Sequence, residues 1–226
     1  MKKLFNISVL VFTILFCTSA FSQTIAIKAG LNFSKPSIIV DKQDMSDYYD
    51  TYTGFNAGVY GEYPLNDMFS IEAGLAYSQK GHTSEVKDHE YTNDGKTTFD
   101  FSYLDIPILG KIRHKFGDLT IAASAGFLLS TGLSGTMQNE EYYNYPDYPN
   151  GEITEITKID IKWGDKEDEF KRLDYGPIFG IEFEFHSILL TGSYYHGLTN
   201  IINPGEYDMV YKHRVFQVTL GYKISI

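Results

Sequence analysis

Residues 214–226 read RVFQVTLGYKISI. Phe216, Val218, Leu220, Tyr222, Ile224 and Ile226 fall in one phase, and Gln217, Thr219, Gly221 and Lys223 in the other. A strand sends successive side chains to opposite faces, so this stretch predicts a strand with one apolar and one polar face. The same rhythm recurs over about Thr24 to Phe33, Thr53 to Tyr63, Met68 to Gln79, Thr98 to Lys115, Leu119 to Thr131, Asp174 to Phe185 and Ile188 to Leu198. The phase of the stretch from Ile188 is the least clear. Connections alternate in length. Long ones run over about Ser34 to Tyr52, Lys80 to Thr97, Leu133 to Leu173 and Thr199 to His213, and short ones over Pro64 to Asp67, Phe116 to Asp118 and His186 to Ser187. Eight such strands predict an all-β fold, an eight-stranded antiparallel up-and-down transmembrane β-barrel with long extracellular loops and periplasmic termini.

The fourth stretch changes phase once. Phe99, Phe101 and Tyr103 hold one phase, and Leu104, Ile106, Ile108 and Ile112 the other. A β-bulge near Tyr103 and Leu104 would produce that slip and would ease the fit of Pro107, which has no N–H for a ladder.

The start reads as an export signal. Lys2 and Lys3 precede an apolar run from Leu4 to Phe16, and Ala20-Phe21-Ser22 fits small-x-small cleavage, giving a signal peptide at 1–22 and a barrel domain at 23–226. Cys17 follows Phe16, where a lipoprotein signal wants a small residue, and cleavage after Ser22 removes this single cysteine. Disulfides, thiol catalysis and thiolate metal sites are then excluded. The formal charge of −10 argues against nucleic acid as a partner.

The polar face decides between membrane and soluble barrels. It carries Lys28, Asn32, Asn56, Glu62, Glu72, Lys111, Arg113, Glu182 and Glu184 among glycines and serines. A dry ligand cavity cannot hold such charges unpaired. A narrow lumen can, if acids meet bases. The polar face is therefore read as the lumen, with a charge network between Lys111 or Arg113 and Glu182 or Glu184, and the apolar face as the lipid side. The alternative is the solvated face of a soluble sandwich.

The chain resembles the PorT-like outer-membrane β-barrel proteins of the Bacteroidetes. The resemblance rests on Lys28 to Ser34, Gly54 to Gly58, Tyr103-Leu104-Asp105-Ile106-Pro107-Ile108-Leu109 and Gly197-Leu198-Thr199-Asn200-Ile201. Asp105 stands where that family usually has Glu, and Ser193 near where it often has Arg. The resemblance implies fold and outer-membrane location. A founding member's link to secretion is not carried by fold alone.

No chemistry stands out. His82, His89, His114, His186, His196 and His213 match no metal spacing, and solvated or interfacial histidine is the expectation. Asp165-Lys166-Glu167-Asp168-Glu169 lacks the glycine and terminal Glu of a calcium loop, which leaves only a weak divalent-ion site near anionic lipopolysaccharide to consider. His82, His89, His196 and Asp208 could reach the outer rim, but nothing pairs them as an enzyme requires. Metal, cofactor and catalytic residues are thus read as none. Tyr142, Tyr143, Tyr145 and Tyr148 are loop-contact candidates, with a loop packed on itself as the alternative. The expected function is a non-enzymatic envelope or surface-interaction barrel; the alternative is a narrow channel for ions or small solutes.

Overall fold

The computed structural model describes residues 24–86, 93–144, 152–166, 169–203 and 208–225. Eight strands form a closed ring: β1 Thr24–Ser34, β2 Asp50–Pro64, β3 Phe69–Val86, β4 Asn93–Phe116, β5 Leu119–Asn144, β6 Leu173–Phe185, β7 Ile188–His196 and β8 Arg214–Ser225. Each pairs antiparallel with its sequence neighbours, and β1 with β8 closes the ring from Thr24↔Ser225 to Ser34↔Val215. The export signal read at 1–22 lies outside the described residues.

The short turns sit at one end. Gly117 and His186 each have positive φ, 63° and 56°, at the first position of a two-residue turn. A II′ hairpin turn needs that conformation there. Glycine adopts it freely, whereas His186 does so at some strain.

The alternation reads out as expected. Ile27, Leu75, Phe127, Phe179 and Leu220 point outward at 50–62% exposure, while Lys28, Glu72, Lys111 and Glu182 point inward at 2–4%. Strand β7 blurs the pattern because it turns Leu189 and Tyr195 inward, at 2% and 0% exposure, beside the polar Thr191 and Ser193. An arginine at Leu75 would place a cation in the outer apolar band. Leu75→Arg should destabilise the folded barrel by about 2–4 kcal/mol. Urea titration of vesicle-folded protein checks this, and an unchanged midpoint would contradict the facing of β3.

The slip read in β4 has a different cause. Phe101, Tyr103, Asp105, Pro107, Leu109 and Lys111 are all buried and lie on one unbroken phase. The inward face itself changes from charged to aromatic toward the long-loop end. A register shift does fall between Ser102 and Tyr103, but the extra residue is Leu133 of β5, since Ser102 pairs with Ser134 and Tyr103 with Gly132. Pro107 is accommodated by a gap in the β3–β4 ladder between Ala73↔Ile108 and Ala76↔Asp105.

Strands β3, β4 and β5 run well past the ring, into segments read from the sequence as loops. Thr98 of β4 still pairs with Gln138 and Asn93 with Tyr143. A further strand, Glu152–Asp160, adds to the β5 edge. Polar residues dominate both faces there, so no apolar period marks these strands; backbone pairing holds them. A second small sheet, Ser37–Val40 with Gln43–Asp44 and Met209–Lys212, folds over the mouth of the ring.

Candidate functional site

The bore is filled in layers. Nearest the short-turn end, three basic and three acidic side chains converge. Lys28 Nζ bonds Glu72 at 2.9 Å and Glu182 at 2.7 Å. Lys111 Nζ reaches Glu182 at 2.5 Å, Glu72 at 3.1 Å and Glu62 at 3.4 Å. Arg113 pairs with Glu62 and donates to Ser70 Oγ at 2.9 Å. Thr191 adds a hydroxyl to Glu182 at 3.0 Å. These come from β1, β2, β3, β4, β6 and β7, which face one another only across a closed ring. Charges removed from water stay ionised only when paired and hydrogen-bonded in this way.

Of the four sequence-read lumen residues, Lys111 and Glu182 meet directly. Arg113 and Glu184 do not: Arg113 goes to Glu62, and Glu184 to Lys223 at 2.8 Å. Lys28, Glu62 and Glu72 complete the cluster. Their residue types were visible on the polar phase, but which charge meets which across the bore depends on register and stagger. Glu62, Glu72 and Glu182 bring carboxylate oxygens within 4.8 Å of one another, as a metal would require. The two lysine ammoniums already occupy the space between them, so the cluster neutralises itself.

Above this lies a cavity of about 50 Å³, bordered by Lys28, Glu182, Ser193, Gln217 and Thr219. Leu109, Leu128 and Ile178 line it as well, and beside its polar groups there is room for a few waters. Ser193 donates to Gln217 at 3.1 Å. An apolar layer of Leu109, Leu128, Ile178, Tyr195 and Val215 follows. Next, Lys80 bonds Asp105 at 3.0 Å and Ser130 at 2.8 Å, with its ammonium over the Tyr103 and Tyr195 rings at 4.7 and 4.8 Å. The Tyr103-Leu104-Asp105 block is thus a clamp: alternate residues point inward and grip one buried lysine by charge and by ring.

The mouth is closed by an aromatic cap. Ile38, Phe101, Tyr103, Ile201 and Tyr211 are buried together, with Tyr49, Phe99, Trp163 and Phe170 packed on them. Trp163 can lie there because Gly132 has no side chain; a Cβ at Gly132 would come within 2.6 Å of the indole. Two histidines are buried in the cap, where solvated or interfacial ones were expected. His82 Nδ1 meets the Tyr211 hydroxyl at 2.8 Å and its ring stacks on Phe99. His213 Nε2 meets the Tyr103 hydroxyl at 3.2 Å. His196 instead lies on the outer face opposite Arg214, so His82 and His196 share no site. His89, Glu167, Asp168, Tyr145 and Tyr148 lie outside the described residues, as do the side chains of Tyr142 and Tyr143.

Burial holds His82 down at about 4, below the ordinary 6.5. The neutral ring is therefore favoured in the closed cap. The stability it contributes is complete above about pH 6.5, declines as pH falls, and is lost by about pH 4. Trp163 emission should report the cap loosening across that window, and His82→Phe should make the profile shallower, with His213, also held low by burial in the cap, carrying the remainder. A profile identical in the two proteins would remove His82 as the cause.

The family described as Outer membrane protein beta-barrel domain matches residues 21–203. The chain belongs to this family. As an outer-membrane barrel it resides in the outer membrane. Its solved structural neighbours include Ail, the attachment invasion locus protein of Yersinia pestis, at 14% identity over 90% of this chain and 99% of Ail with a TM-score of 0.38. Neisserial surface protein A is another, at 12% identity over 89% of this chain and 97% of that one with a TM-score of 0.41. No curated protein matches.

Proposed function

We propose that this outer-membrane barrel is non-enzymatic and works as a contact surface through its long-loop end. The observation that carries this reading is the double closure of the bore. Above the charge cluster at the short-turn end, a cavity of about 50 Å³ is followed by the apolar layer, the Lys80 clamp and the aromatic cap. A conducting path would have to break buried ion pairs at one end and a packed core at the other.

The long-loop end, by contrast, presents ordered strand to its surroundings. The segment Glu155 to Asp160 is exposed on both faces, with Ile156 at 55% and Ile159 at 50%. Apolar side chains held out on a fixed strand suit a protein or envelope partner. The backbones of Tyr142 and Tyr143 pair with Thr154 and Ile153 next to this segment, and with Tyr145 and Tyr148 they are the proposed loop contacts. In this reading the long loops are extracellular, the termini periplasmic and residues 1–22 an export signal. The Tyr103 to Leu109 and Gly197 to Ile201 blocks support kinship with the PorT-like barrels of the Bacteroidetes.

Planar-bilayer recording tests the reading. The purified barrel should be electrically silent, and steady unitary conductance would favour the narrow-channel alternative. Crosslinking on intact membranes, with Ile156→Glu/Ile159→Glu as the control, should lose its adduct while the barrel still folds.

A further inference from the structure

The outward face of β7, β8 and β1 carries two rows that the register sets one above the other. The lower row is aromatic. Phe33 stands opposite Phe216, and Phe216 opposite Tyr194, at 36%, 49% and 40% exposure. Two residues further toward the long-loop end come Lys35, just past the end of β1, Arg214 at the start of β8 and His196 at the end of β7. The Lys35 N–H donates to the Arg214 carbonyl at 3.0 Å, and His196 is the register partner of Arg214. Directly opposed residues of an antiparallel pair share a face, about 5 Å apart at Cβ. Lys212 lies two residues beyond Arg214 in the same phase.

The row is concentrated positive charge on a chain of net charge −10. Among the described residues, the carboxylate within ion-pair distance of the row is Asp47, 3.8 Å from Lys35 and itself fully exposed. Arg214 is also fixed in place. Its Nη1 donates to the carbonyls of Gly197 at 2.7 Å and His213 at 2.8 Å.

Aromatic side chains settle at headgroup level, and bases just beyond them meet headgroup phosphates. We propose that Lys35, Arg214 and His196, with Lys212 above them, form a binding site for the phosphate of an anionic lipid in the leaflet around the long-loop end. Phe33, Phe216 and Tyr194 would lie along the lipid's glycerol and upper acyl region. Arg214 supplies the forked donor that suits phosphate, and the lysines supply point charges. The site commits to membrane-anchored phosphate because the aromatic row beneath it is useless to a free anion.

The test uses the full barrel folded in phosphatidylcholine vesicles, with spin-labelled phosphatidic acid and spin-labelled phosphatidylcholine compared for immobilisation at the protein surface. The wild type should select phosphatidic acid several-fold. Lys35→Gln/Lys212→Gln and Arg214→Gln should each bring the selectivity close to parity, and Arg214→Lys should keep part of it. Asp47→Asn, which frees Lys35, should raise it. Excess inorganic phosphate should leave the selectivity in place. Arg214→Gln also removes two backbone contacts, so the double lysine variant, which touches neither, decides if that protein folds poorly. Parity in the wild type, undiminished selectivity in the lysine variant, or displacement by inorganic phosphate would each overturn the proposal.

Discussion

Lys111→Met should cost the folded barrel about 3–5 kcal/mol, the expected penalty for leaving buried charge without its partner. Lys111 touches Glu62, Glu72 and Glu182 at once, and its side chain is 2% exposed. Methionine keeps much of the volume and removes the charge, so three carboxylates would be left with Lys28 and Arg113. Urea unfolding from lipid vesicles measures the loss. A loss under about 1 kcal/mol would be that of a solvated pair and would mean that water fills the bore. Coupling follows the observed partners. A double-mutant cycle on Lys111 and Glu182 should return an interaction energy of about 0.5–3 kcal/mol, whereas one on Arg113 and Glu184 should be additive, because each has a different partner. Coupling in the second cycle and none in the first would put the strands in another stagger.

Phe101→Ala should be as severe, but local. Phe101 is fully buried, with ring centroids 5.2 Å from Phe170, 5.9 Å from Trp163 and 6.2 Å from Tyr211. Truncating a buried phenylalanine costs about 3–5 kcal/mol, as lost transfer energy plus the cavity left behind. The loss should fall on the cap. Trp163 is the single tryptophan, so its emission reads the cap alone. A red shift is expected, together with faster amide exchange over Ser37–Val40 and Met209–Lys212, while the ring strands keep their protection. Equal loss of protection in cap and ring would show that the two melt as one unit.

The ring was legible because each strand that meets lipid must repeat an apolar residue every second position, as Phe216 to Ile224 and Phe179 to Phe185 do. What the sequence hid lies where that requirement lapses. The outer halves of β3, β4 and β5 have no lipid on either face, so Thr97, Asn139 and Glu140 look like loop although their backbones are laddered. The same lapse disguised the cap. Phe99, Phe101 and Tyr103 look like a phase error in a lipid-facing strand and are instead the floor of a second core. His82 and His213 gave no signal, since their burial depends on loops that return from the far end of the chain. In the bore, residue types were readable and partners were not. Lys80 looked like the first residue of a loop, and only the continuation of β3 turns it inward onto Asp105.

The charge cluster also bears on how the barrel is assembled. Its members are spread along the chain from Lys28 to Glu182, and the strand that follows β1 around the ring on one side is the last to be made, β8. A sheet of the first three strands inserted alone would carry Lys28, Glu62 and Glu72 into hydrocarbon before Lys111 and Glu182 arrive, and would leave two open edges of unpaired backbone there. Both penalties vanish in the same event, when β1 meets β8. Entry into the bilayer is thus concerted: the strands gather at the surface first, and the membrane is crossed by a nearly closed cylinder.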